Sequence, residues 1–320
     1  MDTVGARGKT IRCSAVVCAH NEEQNLPGLI RTLLEYRHPA HQIDEVICVA
    51  SGCTDRTVDV LTDARSADSR VHVIIQPLRE GKASALMVGL RAAQQEVVLV
   101  ENADTLPGPG ALDELLAPFD DPQVVLVTCR PVPVGIPRNF AERLGITLWS
   151  FHDAVAQGRP KAGEAFAIRR VPLDVPPDIE DDDTFVQAFM ESYGGRTVYA
   201  RSAVVFNRVP ASIWDLARQR YRINRQLVGL YRRHGVGSSS WSPRDLLASS
   251  ARFLRDHPHD GPRLVALAGF ETGIRLAAVT SRIVDARPIR SWSPIGSTKA
   301  PIADSDAGSP PNSVPWVARR

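Results

Sequence analysis

The sequence predicts an α/β protein: a mostly parallel, mixed sheet flanked by helices, followed by a helical C-terminal extension. Three observations carry this. Short runs rich in Val and Ile recur through the first half, each leading through a polar loop into a helical pattern. The runs are apolar almost throughout rather than alternating, as strands covered on both faces must be. Past residue 240 the strand-like runs give way to helical periodicity.

The first unit is the run Cys13–Ala19 and the loop His20-Asn21-Glu22-Glu23-Gln24-Asn25. A helix follows with Leu26, Leu29, Ile30, Leu33 and Leu34 on one face, Asn25 as N-cap and Pro27 in the first turn. The second is Ile43–Ala50, then Ser51-Gly52-Cys53-Thr54-Asp55, then a helix through Val58 and Leu61, with Thr54 a candidate cap. The third runs from Val71–Gln76 through Glu80-Gly81-Lys82 into a helix with Leu86, Val88 and Leu90. The fourth, Val97–Val100, ends in Glu101-Asn102-Ala103-Asp104-Thr105. Ligands of such sheets bind outside the carboxyl ends of the strands, so these loops should share one rim.

In the second half, Ala165–Ile168 reads as a strand, Asp181–Tyr193 as a helix and Thr197–Phe206 as one or two strands. Ser212–Arg233 is a long helical pattern rich in arginine, and Gly235–Ser240 has linker composition. Helices are expected near Arg244–His257 and Arg263–Ile283. Pro131–Arg159 is read as loop, and 291–320, rich in Pro, Ser and Gly, as disordered. The division is a sheet domain over 11–234, a helical extension over 235–290 and a tail over 291–320.

The net charge of +2, from 38 basic and 36 acidic residues, offers no field for nucleic acid, and no nucleic-acid partner is expected. Five cysteines without a CxxC pair argue against a disulfide framework or zinc site and for a reducing, cytoplasmic setting. Residues 1–12 lack the apolar core of a signal peptide. Leu264–Val279 is interrupted by Glu271 and Arg275, so no membrane span is expected. The stripe Leu267, Phe270, Ile274 is read as internal packing, with a homodimer contact or a membrane-surface acceptor as alternatives.

Four groups of residues carry candidate chemistry. Asp104, at a strand end, can hold a divalent cation against a diphosphate, although a turn aspartate explains it too. Lys82 opens a helix beside Gly81, where an ammonium and backbone N–H groups suit a phosphate. Asp178–Asp183 holds five acidic residues in six positions, more than a helix start needs, and repulsion there favours a general base. Gln219 and Arg222 share a helix face that could hold a leaving diphosphate, while Arg218 and Arg220 read as an exposed basic face.

In this order and spacing, from about Ile11 to Tyr231, the segments resemble the family 2 glycosyltransferases, whose fold is the Rossmann-like GT-A fold. Ala19-His20-Asn21-Glu22-Glu23 looks like their first nucleotide loop, and Ser51–Thr57 is similar to their Asp-Asp-Gly-Ser-Thr-Asp-Gly-Thr loop. Glu80–Leu86 matches a Gly-Lys-x-x-Ala-Leu segment, and Asn102-Ala103-Asp104 falls at the Asp-x-Asp metal motif. Gly163–Arg170 is similar to the segment under the acceptor. Asp182-Asp183 falls on the catalytic acidic pair, and Gln219–Ile223 on a Gln-x-x-Arg-Trp motif.

The resemblance implies a non-processive, inverting transferase that moves one sugar from a nucleotide-diphosphate donor, a UDP-sugar first among them. The acceptor would be a small molecule or lipid-linked. Asp183 (or Asp182) would be the base, with Gln219 and Arg222 beside the reacting groups. Ala19, His20, Asn21, Glu23, Ser51, Gly52, Lys82, Asn102 and Ala103 would hold the donor, and Asp104 would hold Mg²⁺ or Mn²⁺. Ser51, Asn102 and Ile223 depart from the family's Asp, Asp and Trp. Two other readings stay open: a nucleotidyltransferase acting on a sugar-1-phosphate, and a non-catalytic sugar-nucleotide-binding protein.

Overall fold

The computed structural model describes residues 10–176, 178–285, 287 and 295–302. Its parallel half is built around β1 (Ile11–Ala19), flanked by β2 (His41–Ser51) and β4 (Val97–Asn102), with β3 (Val71–Gln76) beyond β2; all four run parallel. Cys13, Ala15, Val16 and Val17 of β1 are fully buried, which explains the unbroken apolar run. The full order is β3-β2-β1-β4-β7-β6-β8-β5. Here β5 is Leu106–Pro107, β6 is Val124–Pro133, β7 is Ala165–Arg169 and β8 is Arg196–Asn207.

Two apolar cores sandwich the sheet. One lies under α1 (Leu26–Glu35), α2 (Thr57–Ala67) and α4 (Ala111–Leu116), the other under α3 (Lys82–Ala92) and α6 (Asp182–Tyr193). Helix α3 lies close on β1 because Gly89 has no side chain: a Cβ there would stand 2.4 Å from Val16 Cγ1. Strand β7 runs antiparallel to both β4 and β6, so it begins at the rim where β4 ends. That reversal brings Glu164 beside Asn102, whose N–H donates to the Glu164 carbonyl at 3.2 Å.

Pro131–Arg159 is not all loop. Its first residues finish β6, and α5 (Phe140–Ala156) fills most of the rest, capped by the Asn139 side chain, which accepts from Glu142 N–H. The signal was Leu144, Leu148, Phe151 and Val155 at helical spacing, preceded by Pro133, Gly135 and Pro137. Helices α7 (Ile213–His234), α8 (Pro243–Asp256) and α9 (Gly261–Val284) follow. The extension packs on α5 and α7 through Leu144, Leu216 and Leu267, in line with internal packing for the apolar stripe.

Helix α9, at 24 residues with an 18-residue window of mean hydropathy 1.3, is by length and composition alone long and apolar enough to cross a bilayer, despite Glu271 and Arg275 within it. Arg263 near its start is exposed, but Glu271 and Arg282 are turned inward. Glu271 pairs with Arg220 of α7 at 2.6 Å, and the buried Arg282 pairs with Glu180 just before α6. Of the tail, residues 295–302 lie against the sheet domain, pinned by Arg208, which donates to the carbonyls of Ala300 and Pro301 at 2.9 and 2.6 Å. The other tail residues, 291–294 and 303–320, fall outside the described residues.

Candidate active site

A cavity of about 500 Å³ opens at the carboxyl ends of β1, β2 and β4 and continues between α5, α7, α8 and α9. That is the size of a small-ligand site. At its rim end stand Ala19, His20, Ser51, Asn102, Ala103 and Asp104, each following or ending a parallel strand as the sequence predicts. His20 Nδ1 lies 2.8 Å from the Ser51 carbonyl, tying the first two loops together. Burial lowers the pKa of His20, so the ring is held neutral.

Asn21, Glu23 and Gly52 stand behind this surface rather than on it. Asn21 adopts a left-handed conformation (φ 56°) and grips Thr54: its Oδ1 accepts from Thr54 N–H at 2.8 Å and its Nδ2 donates to Thr54 Oγ1 at 3.1 Å. Thr54 is therefore engaged by that loop and does not cap α2, where Asp55 Oδ1 accepts from Thr57 N–H instead. Glu23 accepts from Arg56 N–H at 2.9 Å, and its neighbour Glu22 faces the cavity in its place. Gly52 (φ 57°) lets the Arg79 backbone pass within 2.5 Å of where a Cβ would stand. Asn25 makes no cap bond; its amide donates to Glu22 and to the Lys299 carbonyl.

The acidic cluster meets the rim at α6. Asp181 caps this helix by accepting from Thr184 N–H at 3.0 Å, placing Asp182 and Asp183 in its first turn. Lys82, at the start of α3, donates to both Asp183 oxygens at 2.9 and 3.1 Å and stands 3.3 Å from Asp182. The expected phosphate-binding lysine is thus bound to the candidate base. Burial pushes the Asp183 carboxyl well above the usual carboxylate range; Lys82 pulls it back, while Asp182 and Asp181 push it further up. Burial opposes the charge on Lys82, but the two carboxylates outweigh it and keep the ammonium protonated.

For a divalent cation the fit is that of a shared ligand shell. Asp104 faces the cavity with no hydrogen bond or ion pair among the described residues. Asn102 donates its amide to Glu164 at 2.7 Å, a bond that leaves its amide oxygen unused. Among the described residues no group of three or more His, Cys, Asp or Glu is placed to hold an ion. One carboxylate and an amide oxygen cannot cage Mg²⁺ or Mn²⁺ alone, but they suit a cation held mainly by diphosphate oxygens and water. Carboxylates crowd this place: Glu22 and Glu164 both have raised pKa values, from burial first and then from Asp104.

Gln219 and Arg222 of α7 line the same cavity. Burial lowers the Arg222 pKa to about 10, and the opposing pull of Asp104, Asp181 and Glu164 places its charge between the strand rim and the acidic cluster. Arg220 is not exposed as expected; its guanidinium is largely buried and bonded to Glu271 at 2.6 and 3.2 Å. Arg218 does lie on the surface. The helical end of the cavity adds Trp149, Leu148, Leu216, Leu267, Lys161 and His152, none of which carries a motif. Burial, followed by the charges of Lys161 and Arg220, depresses His152 to about 3, so it is neutral at physiological pH.

Residues 14–168, which include the three strand-end loops and Lys82, match the model of glycosyl transferase family 2. Over these residues, just under half of the chain, the sequence is similar to family 2. An uncharacterised glycosyltransferase of Synechocystis is 34% identical over 107 residues, 33% of this chain and 34% of that protein. The undecaprenyl-phosphate 4-deoxy-4-formamido-L-arabinose transferase of Pectobacterium carotovorum is 34% identical over 105 residues, 32% of each. The chain thus spans about a third of the length of these relatives. A mannosyltransferase from Pyrobaculum calidifontis, solved with GDP-Man and Mn²⁺, superposes over 86% of this chain and 76% of its own, with a TM-score of 0.55 at 21% identity. The fold is therefore GT-A, with a helical C-terminal region. The Asp182–Asp183 pair and the Gln219–Arg222 helix lie outside the family 2 match.

Proposed function

We propose that this chain is a glycosyltransferase that moves a single sugar from a nucleotide-diphosphate donor to an acceptor hydroxyl with inversion at the anomeric carbon. The observation that carries this is Asp183: a buried carboxylate with a raised pKa, held by Lys82 at 2.9 Å where the acidic cluster meets the strand rim of the cavity. The base and ribose would lie against His20 and Ser51, and the diphosphate would run past Asp104 towards Arg222. The acceptor would enter between α5, α7, α8 and α9.

Asp183 takes the acceptor proton as the hydroxyl oxygen attacks the anomeric carbon from the face opposite the diphosphate. The bond from that carbon to the diphosphate oxygen breaks, and the nucleoside diphosphate leaves with the electron pair. Lys82 occupies one lone-pair direction on each carboxylate oxygen and leaves others for the hydroxyl. Its charge favours the ionised form of Asp183, the form a base needs, against the effect of burial. Arg222 stabilises charge growing on the leaving group. A bound divalent cation, with Asp104 among its ligands, would add Lewis-acid neutralisation of the diphosphate.

The apolar helical end, with Leu148, Trp149, Leu216 and Leu267, suits an acceptor with a hydrophobic portion, and a relative that uses undecaprenyl phosphate supports a lipid-linked one. Ile223, where processive synthases of the family carry tryptophan, supports single transfer. All five cysteines are free thiols, which supports a cytoplasmic setting. Asp183→Asn is the test. Turnover should fall by about 10²-fold or more, the usual share of a general base, while calorimetric affinity for the nucleotide stays within a few-fold. Near-normal turnover would remove Asp183 from the role of base.

A further inference from the structure

The tail segment crosses the rim end of the cavity. A short turn at Gly296–Thr298 leads into Lys299, and Ile295, Thr298 and Lys299 line the cavity wall beside His20, Ser51 and Asp104. The segment is tied down along its length. Ala211 N–H donates to Ser297 Oγ at 3.3 Å, Asn25 Nδ2 donates to the Lys299 carbonyl at 3.1 Å, and Arg208 holds the carbonyls of Ala300 and Pro301. Ile302 ends beside Asn25 and Gly28 at the start of α1.

The Lys299 ammonium donates to the carbonyls of His20 and Asn21 at 2.6 and 2.9 Å and pairs with the Glu22 carboxylate. An ammonium has three N–H bonds, and these three acceptors use all of them. Lys299 therefore acts on the loop rather than on a phosphate. The loop needs such a hold. Asn21 is the one non-glycine residue with positive φ among the described residues, in a left-handed conformation that asparagine accepts more readily than most residues but that the surroundings must still hold. Glu22 is buried close to the charge of Asp104, and Lys299 is the cation that compensates it.

We propose that Ile295–Ile302 is a strap completing the nucleotide pocket, with Lys299 as a positioning residue that fixes the His20–Glu22 turn in its donor-binding shape. The nature of the ligand rests on the glycosyltransferase reading; the strap and its latch do not. Opening the latch would leave Glu22 beside Asp104 without its ion-pair partner and free the His20 and Asn21 carbonyls from their hold.

The test titrates UDP, GDP and TDP with Mn²⁺ into the full chain and into Lys299→Met and Lys299→Arg, and follows amide hydrogen exchange at residues 20–25. Lys299→Met should weaken binding of the preferred nucleotide about tenfold, the worth of about one charge-assisted hydrogen bond. Exchange should rise at the turn and stay unchanged in β6, and Lys299→Arg should recover part of the affinity. Binding by Lys299→Met within twofold of the parent would overturn the proposal. If the parent binds no nucleotide, the donor reading fails. The latch is then judged on exchange alone: a rise confined to the turn supports it, and no change overturns it.

Discussion

Gly229 is the position where two simple rules give opposite answers. It lies in the interior of α7, where alanine is favoured over glycine by about 1 kcal/mol. A Cβ there would stand 2.0 Å from Arg282 Nη2 and 2.8 Å from Glu180 Oε1. Neither group can retreat cheaply. Arg282 and Glu180 are 1% and 0% exposed in their side chains, and Arg282 Nε also donates to the Arg225 carbonyl at 3.1 Å. Displacing the guanidinium breaks a buried ion pair, at a cost of about 3–5 kcal/mol. Arg233 stays on Glu180 and offsets part of it. Less the helix gain, Gly229→Ala should lose about 2–3 kcal/mol, read from urea unfolding followed by circular dichroism. Gly273→Ala on α9, with nothing within 4 Å of its added Cβ, is the control and should gain up to about 1 kcal/mol. Equal behaviour of the two variants would refute the view that the buried Glu180–Arg282 pair joins the extension to the acidic loop.

The remaining expectations concern charge. Since burial raises Asp183 and Lys82 lowers it, the acidic limb of kcat/KM should lie above the usual carboxylate range, and Lys82→Met should move it to still higher pH. An unmoved limb would mean that another group is the base. Glu101, fully buried on β4 and bonded to Thr105 Oγ1 at 3.3 Å, is raised well above its ordinary value by that burial. The folded value exceeds the unfolded one, so its contribution to stability is complete below about 4.3 and is lost as pH rises through the folded value. Glu101→Gln should flatten that part of the urea-midpoint profile against pH; an unchanged profile would mean that other groups set the slope.

The parallel strands β1 to β4 and their helices were legible because buried strands and amphipathic helices leave short-range patterns. Asp183 and Lys82 were found separately, each from its own local context, but not as partners, since 101 residues separate them. Glu22 rather than Glu23 reaches the cavity, just past the left-handed Asn21, while Glu23 is turned to Arg56; composition reveals neither. Arg220 read as exposed because its partner, Glu271, lies on a different helix. Lys299 sat in a stretch of disordered composition, and its target, Glu22, is 277 residues away. Helix α5 has a local signal too, its apolar spacing lying behind a proline-rich entrance.

The most direct measurement is calorimetric titration of UDP, GDP and TDP, with Mn²⁺ and with EDTA, into the wild-type chain and into Asp104→Asn. Glycosyl transfer from a nucleotide-diphosphate donor predicts saturable binding of one nucleotide, tightened by Mn²⁺ and losing that tightening in Asp104→Asn. Absence of binding by all three nucleotides under both conditions would contradict it.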